Sequence, residues 1–92
     1  MESVDYTKLT SDERRKIRLK YIEEQKGKCY YCGEDLDKPA PKRITNKIID
    51  WSKFPRDFLK WPIHLQHCHK TGMTEGAVHA YCNAVMWQYE QR

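Results

Sequence analysis

The chain has 92 residues, of which 39% are hydrophobic and 33% are charged, with a formal net charge of +4. This length fits one small domain whose core leaves little margin over conformational entropy, so a staple is expected. No apolar run approaches the roughly 20 residues that a membrane-spanning helix needs, and the N-terminus lacks the basic and apolar regions of a secretory signal. We therefore expect an intracellular protein that does not bind membranes.

The N-terminal third predicts a tail, a helix and a tight turn. Residues 1–9 are expected to be a flexible tail, and residues 10–27 a helical segment. The sequence Thr10-Ser-Asp-Glu13 is typical of a capping box, which predicts a helix from about Ser11 to Gln25 that Gly27 closes. Residues 28–33, Lys-Cys-Tyr-Tyr-Cys-Gly, then predict a knuckle turn in which two thiolates point to one place.

The middle of the chain, residues 34–61, is expected to be a variable basic and aromatic insert with loops at its prolines. A short strand or helix is predicted between Ile44 and Trp51. Residues 62–91 are easier to interpret, because their hydrophobic pattern changes from alternation to helical spacing. They predict a strand, a turn, a second strand and a helix, at Pro62–His67, Cys68–Gly72, Gly76–His79 and Tyr81–Gln91.

Basic residues are concentrated in the middle of the chain. From Lys38 to Lys70 there are eight basic residues and only two acidic ones, interleaved with Trp51, Phe54, Phe58 and Trp61. Cations pair with phosphates and aromatic rings can pack on bases, so this composition favours a nucleic-acid surface. An ordinary solvated surface around a few core aromatics is the alternative.

Two pairs of metal-ligating residues share the same spacing. Cys29 and Cys32 form a Cys-x-x-Cys unit, and His79 and Cys82 form a His-x-x-Cys unit 46 residues further along. Four nitrogen or sulfur ligands from two short chelating units are typical of tetrahedral structural zinc. Two disulfides are the alternative, and Cys68 is a rival fourth ligand. Zinc is favoured, because no export signal is present.

The C-terminal motifs resemble a known nuclease family. The matching text is His64-Leu-Gln-His-Cys-His69, Lys70-Thr-Gly72 and Gly76-Ala-Val-His-Ala-Tyr-Cys-Asn83, together with the upstream Cys29-Tyr-Tyr-Cys32. These motifs are similar to those of the HNH, or ββα-metal, nuclease superfamily, and most specifically to the phage recombination endonuclease VII family. The resemblance covers roughly residues 14–33 and 62–90.

The resemblance implies a small α+β fold, namely a zinc-stapled ββα-metal (HNH or His-Me finger) domain at 10–92 preceded by an N-terminal helix. It also implies a metal-dependent DNA endonuclease of a phage or mobile element, acting in the cytoplasm of the host. By resemblance, His67 is the general base, Gln66 and Asn83 hold one catalytic Mg²⁺ or Mn²⁺, and His69 supports the phosphate. The products would carry 3′-hydroxyl and 5′-phosphate ends.

This chain departs from the family pattern at three positions. Gln66 stands where the family has Asp or His, Cys68 replaces an acidic residue, and His79 replaces a zinc cysteine. A neutral amide is a weaker Mg²⁺ ligand than a carboxylate. A zinc-stapled module that grips nucleic acid without cutting it is therefore the second hypothesis, and a zinc-stabilised protein-interaction domain is the third. The oligomeric state and the DNA sequence preference do not follow from the sequence.

Overall fold

A computed structural model describes residues 2–91, which form a small α+β arrangement with one two-stranded antiparallel sheet. The helices and strands, in chain order, are α1 Ser11–Glu24, α2 Lys42–Thr45, β1 Ile63–His67, β2 Thr74–His79 and α3 Ala80–Glu90. Short 3-10 turns at Tyr6–Lys8 and Trp51–Lys53 complete the regular structure of this part of the chain. Among these residues, no helix combines the length and apolar character needed to cross a membrane.

The first helix begins and ends close to where the sequence predicts. The Thr10 hydroxyl accepts the Glu13 N–H at 3.2 Å, and the Glu13 carboxylate accepts the Thr10 N–H at 2.9 Å, so both halves of the capping box are present. After Glu24 the chain turns through Lys26 and Gly27, whose φ angles are +56° and +75°. A left-handed conformation costs glycine little, so Gly27 can end the helix as expected.

Residues 4–9 form a strap along the sheet, in contrast to the flexible tail that we expected. The Val4 N–H donates to the Thr74 hydroxyl at 2.9 Å, and the Val4 carbonyl accepts the Thr74 N–H at 2.8 Å. Tyr6 N–H donates to the Gly72 carbonyl at 2.8 Å. The outer edge of a sheet presents unpaired backbone groups, and the strap pairs with the Thr74 N–H at the start of β2 and with the Gly72 carbonyl just before it. The N-terminal segment is therefore part of the fold.

The C-terminal strand–turn–strand–helix unit is confirmed, although β2 begins two residues earlier and α3 one residue earlier than predicted. The pairing of β1 with β2 steps from Gln66–Gly76 to His67–Thr74, so Glu75 is an extra residue at a β-bulge. The core lies between this unit and α1. Its fully buried members include Tyr21, Val78, Cys82, Val85 and Met86.

The insert contributes to the core more than its loop-like sequence predicts. Leu36, Ile44 and Ile49 are buried, and the short element predicted between Ile44 and Trp51 is a single helical turn, α2, which begins earlier and covers Lys42–Thr45. The C-terminal part of α3 holds the insert in place, because Gln88 Nε2 donates to the Ile48 carbonyl at 2.8 Å. The insert therefore lies against α3 and forms one wall of the cavity described below.

Candidate metal centre and histidine cavity

The four predicted zinc ligands come together in one cluster. The ligand atoms of Cys29, Cys32, His79 and Cys82 all lie within 4.8 Å of one another. The Nδ1 atom of His79 is 3.5 Å from the Cys32 sulfur and 3.6 Å from the Cys82 sulfur. A tetrahedral zinc ion with the usual Zn–S and Zn–N bond lengths would separate these atoms by about 3.6 Å. The cluster could therefore hold zinc.

Two local structures aim these ligands at each other. In the knuckle turn, the Cys29 N–H donates to the Glu34 carbonyl at 2.8 Å, and the Gly33 N–H donates to the Cys29 carbonyl at 3.0 Å. Gly33 has a φ of +79°, which is the left-handed conformation that this reversal needs. On the facing side, His79 is the last residue of β2, and Cys82 lies in the first turn of α3.

The second ring nitrogen of His79 has its own partner. Nε2 lies 2.9 Å from the Asp35 carbonyl, an acceptor that fixes the proton on Nε2 and leaves the Nδ1 lone pair facing the sulfurs. Outer contacts of this kind orient metal-ligating histidines in proteins. The sequence does not predict the role of Asp35, because the acceptor is its backbone carbonyl, a group that every residue type has.

Two thiols of the cluster, Cys29 and Cys82, have pKa values that are shifted in opposite directions. A hydrogen bond with Cys82 lowers the pKa of Cys29 to about 4, whereas the same contact and burial raise the pKa of Cys82. A divalent cation bound by both sulfurs would replace the proton they share. Cys68 lies outside the cluster, and all four cysteines are free thiols, so the disulfide alternative has no support.

Three of the other predicted site residues, His67, His69 and Asn83, line an open cavity of about 750 Å³. We call it the histidine cavity, because His64, His67 and His69 line it together with Asn83. Ile63, His64 and Leu65 of β1 all line the cavity. Because successive side chains of a strand point to opposite faces of the sheet, the cavity lies along the edge of β1, on the side that no described strand covers. Four cationic side chains also line it: Arg14, Arg15, Arg18 and Lys53.

His67 lies in a stack of rings at this cavity. Its imidazole is 3.9 Å from the Tyr6 ring, with an angle of 11° between the planes, and the Arg14 guanidinium lies 4.0 Å from the Tyr6 centroid. Burial, with the nearby charges of His69 and Arg14, lowers the pKa of His67 below its usual 6.5. The imidazole is therefore neutral at pH 7 and able to accept a proton.

His64 lies beside Asn83 inside the cavity. The Asn83 amide nitrogen is 3.1 Å from His64 Nδ1, and the Phe58 ring meets the His64 ring edge-on at 4.7 Å. Burial lowers the pKa of His64, so its Nδ1 can accept a hydrogen bond from the amide. The contact joins β1 to α3. Its two residues are 19 positions apart, so a local sequence pattern does not predict it.

Gln66 does not line the cavity. Its side chain is 1% exposed, its amide nitrogen donates to the His67 carbonyl at 2.9 Å, and its amide oxygen is buried with no partner among residues 2–91. No aspartate or glutamate of the described chain lines the cavity either. Mg²⁺ and Mn²⁺ favour carboxylate oxygens, so this cation-rich set of side chains does not fit either ion as a resident cofactor.

Comparisons of the chain with models of protein families, with curated proteins and with solved structures found no match. The sequence correctly grouped the four ligands of the cluster. Of the predicted catalytic residues, His67, His69 and Asn83 share the histidine cavity, whereas Gln66 lies outside it.

Proposed function

We propose that this chain is an HNH-type nuclease that hydrolyses DNA phosphodiester bonds, with His67 as the general base. One observation carries the proposal: a single cavity brings a neutral imidazole beside four cationic side chains and contains no described carboxylate. A phosphodiester needs positive charge around its oxygens and a base for the attacking water. The resemblance to the HNH superfamily supports the same reaction.

The proposed reaction is an in-line hydrolysis. Water forms a bond to phosphorus while His67 takes its proton, and the bond from phosphorus to the 3′ oxygen breaks with its electron pair. The 3′ oxygen takes a proton from solvent, which leaves 3′-hydroxyl and 5′-phosphate ends. Arg14, Arg18 and Lys53 stabilise the charge that grows on the phosphoryl oxygens, and the exposed His69 lies close enough to His67 to hold the same phosphate.

Zinc has a structural part in this proposal. The cluster supplies four protein ligands and therefore leaves no open position for water or substrate, which is typical of structural zinc. The ion would tie the knuckle turn to the junction of β2 and α3, and so hold His67 and Asn83 at one cavity. The resemblance also proposes Mg²⁺ or Mn²⁺ on Gln66 and Asn83, but the cavity's side chains do not support that ion.

Supercoiled plasmid tests the proposal directly. Zinc-loaded protein is incubated with plasmid in buffer freed of other metals, and in parallel with added Mg²⁺ or Mn²⁺. We expect nicked or linear product from the wild type and none from His67→Ala. Lys70→Ala is the matched control, since Lys70 is exposed, close in sequence and outside the cavity. Equal activity of His67→Ala and the wild type would refute His67 as the base.

A nucleic-acid-binding module that does not cut is the second candidate. It is favoured by the buried, neutral Gln66 and by the lack of carboxylates among the described lining residues. In this case plasmid stays intact with every divalent ion, while wild type and His67→Ala bind a labelled DNA with equal affinity. The two candidates therefore differ in cleavage and not in binding.

A further inference from the structure

Aromatic side chains form a continuous part of the wall of the histidine cavity. Phe54 contacts Phe58 at 4.8 Å and Trp87 at 5.2 Å between ring centroids, and Phe58 in turn meets His64. Trp61 also lines the cavity, and 65% of its surface is exposed. Phosphate contacts alone require no aromatic surface, whereas the face of an unstacked base packs well on one.

Three of the cavity's four cations form no ion pair with a described carboxylate, although Arg14 also donates to the Tyr6 carbonyl at 3.3 Å. Arg14 and Arg18 lie one turn apart on α1, a rise of about 6 Å, which is close to the distance between successive phosphates of a strand. No carboxylate of the described residues lies within ion-pair distance of Arg14, Arg18 or Lys53, whereas Arg15 pairs with Asp12 at 3.5 Å. Charge complementarity therefore selects a phosphate chain as the occupant.

The size of the cavity limits what can enter it. Its volume of about 750 Å³ lies within the range of pockets that enclose small molecules. Such a space suits one or two nucleotides with the bases turned outward from their stack. In a duplex the faces of the bases are covered by their neighbours, so a duplex could use the cations but not the aromatic wall.

We propose that the histidine cavity binds an unstacked nucleotide, with its base against Trp61 and its phosphates at Arg14 and Arg18, so that single-stranded DNA is preferred over duplex as the substrate. This inference rests on the proposed nuclease function and specifies its substrate. The scissile phosphate then lies beside His67, because Arg14 and Tyr6 are part of the same stack as that imidazole.

Binding can be measured separately from cleavage. Zinc-loaded His67→Ala protein is titrated into a fluorescently labelled 12-nucleotide strand, free or annealed to its complement, and the anisotropy is recorded. We expect the single strand to bind at least tenfold more tightly than the duplex. Stacking on an aromatic side chain contributes about 1–3 kcal/mol per base, so Trp61→Ala should weaken single-strand binding by roughly 5- to 150-fold.

Leu59→Ala is the control, because Leu59 is an exposed hydrophobic residue of the same insert that does not line the cavity. It should leave the single-strand affinity unchanged, and Trp61→Ala should leave the duplex affinity unchanged. A duplex that binds as tightly as the single strand, or a Trp61→Ala protein with normal single-strand affinity, would overturn the inference.

The outcomes also separate this inference from the proposed function. If the wild type cuts duplex plasmid and prefers duplex, the nuclease stands and the single-strand inference falls. If single strands bind through Trp61 but no DNA is cut, the binding site stands and the nuclease falls. Absence of binding to either form of DNA would remove both.

Discussion

Replacing Cys32 by serine tests whether the cysteine–histidine cluster is a zinc staple. The sulfur of Cys32 lies 3.5 Å from His79 Nδ1, at the edge length of a zinc tetrahedron. A serine hydroxyl keeps the size of the side chain but is a poor zinc ligand, since zinc sites use thiolates, imidazoles and carboxylates. Cys32 is only partly buried, so the lost packing is small.

The expected loss of stability follows from the loop that the ion closes. Cys32 and His79 are separated by 46 residues. The chain-entropy relation for a cross-link that closes a loop of this length gives about 4 kcal/mol. A small domain has a total unfolding free energy of about 5–15 kcal/mol. The change should therefore lower the melting temperature by roughly 15–30 °C, or prevent folding.

Two measurements check this expectation. Elemental analysis should find one zinc ion per wild-type chain and none in Cys32→Ser. Circular dichroism melts should show that a strong chelator destabilises the wild type to the level of the variant and leaves the variant unchanged.

Cys68→Ser is the matched control, because Cys68 is also a partly buried free thiol but lies outside the cluster. It should bind one zinc and melt like the wild type. The zinc reasoning fails if Cys32→Ser keeps its metal and its melting temperature, or if Cys68→Ser loses them.

Further predictions concern the groups around His67. The pKa of His67 lies below 6.5 in the folded protein, so on acidification the unfolded chain takes up a proton at this residue before the folded chain does. The contribution of His67 to the free energy of unfolding is therefore complete above about pH 6.5 and is lost as the pH falls toward the pKa of the folded state. The rate of cleavage should fall at the same pH at which the His67 imidazole becomes protonated in an NMR titration. Tyr6→Ala should raise the pKa of His67 by exposing it to water, whereas Tyr6→Phe keeps the stack and should not. Gln66→Asp should lower stability by roughly 1–3 kcal/mol, because it buries a carboxyl group without a partner; recovery with Mg²⁺ in a thermal melt would instead show that position 66 reaches a metal ion.

Features that depend on a few neighbouring residues could be predicted from the sequence. The capping box at Thr10 and Glu13 specifies the start of α1, because both hydrogen bonds join residues three apart. The ligand pairs behave in the same way, since two residues at x-x spacing can reach one ion from a single turn. The zinc interpretation then needed only the assumption that the two pairs meet, which they do.

Features that depend on distant backbone groups could not be predicted. Val4 and Thr74 are 70 positions apart, and no local pattern shows that the edge of β2 lacks a partner. The same strap carries Tyr6 to His67, so the residue that stacks on the proposed base lay in the segment expected to be a flexible tail. The burial of the insert was also missed, because its contact with α3 joins residues that are far apart in the sequence: Gln88 and Ile48 are 40 positions apart.

The glutamine at position 66 has a physical consequence for the proposed base. Its amide holds the His67 carbonyl at 2.9 Å without adding charge. A buried carboxylate at this position would favour the imidazolium form of His67 and so raise its pKa, which would protonate the base near neutral pH. A metal ion on that carboxylate would offset the effect. Here the charge of Arg14 acts in the same direction as such an ion, since it lowers the pKa of His67. The neutral Gln66 and the cations of the cavity therefore form one electrostatic arrangement, in which a carboxylate introduced without its metal would weaken the base.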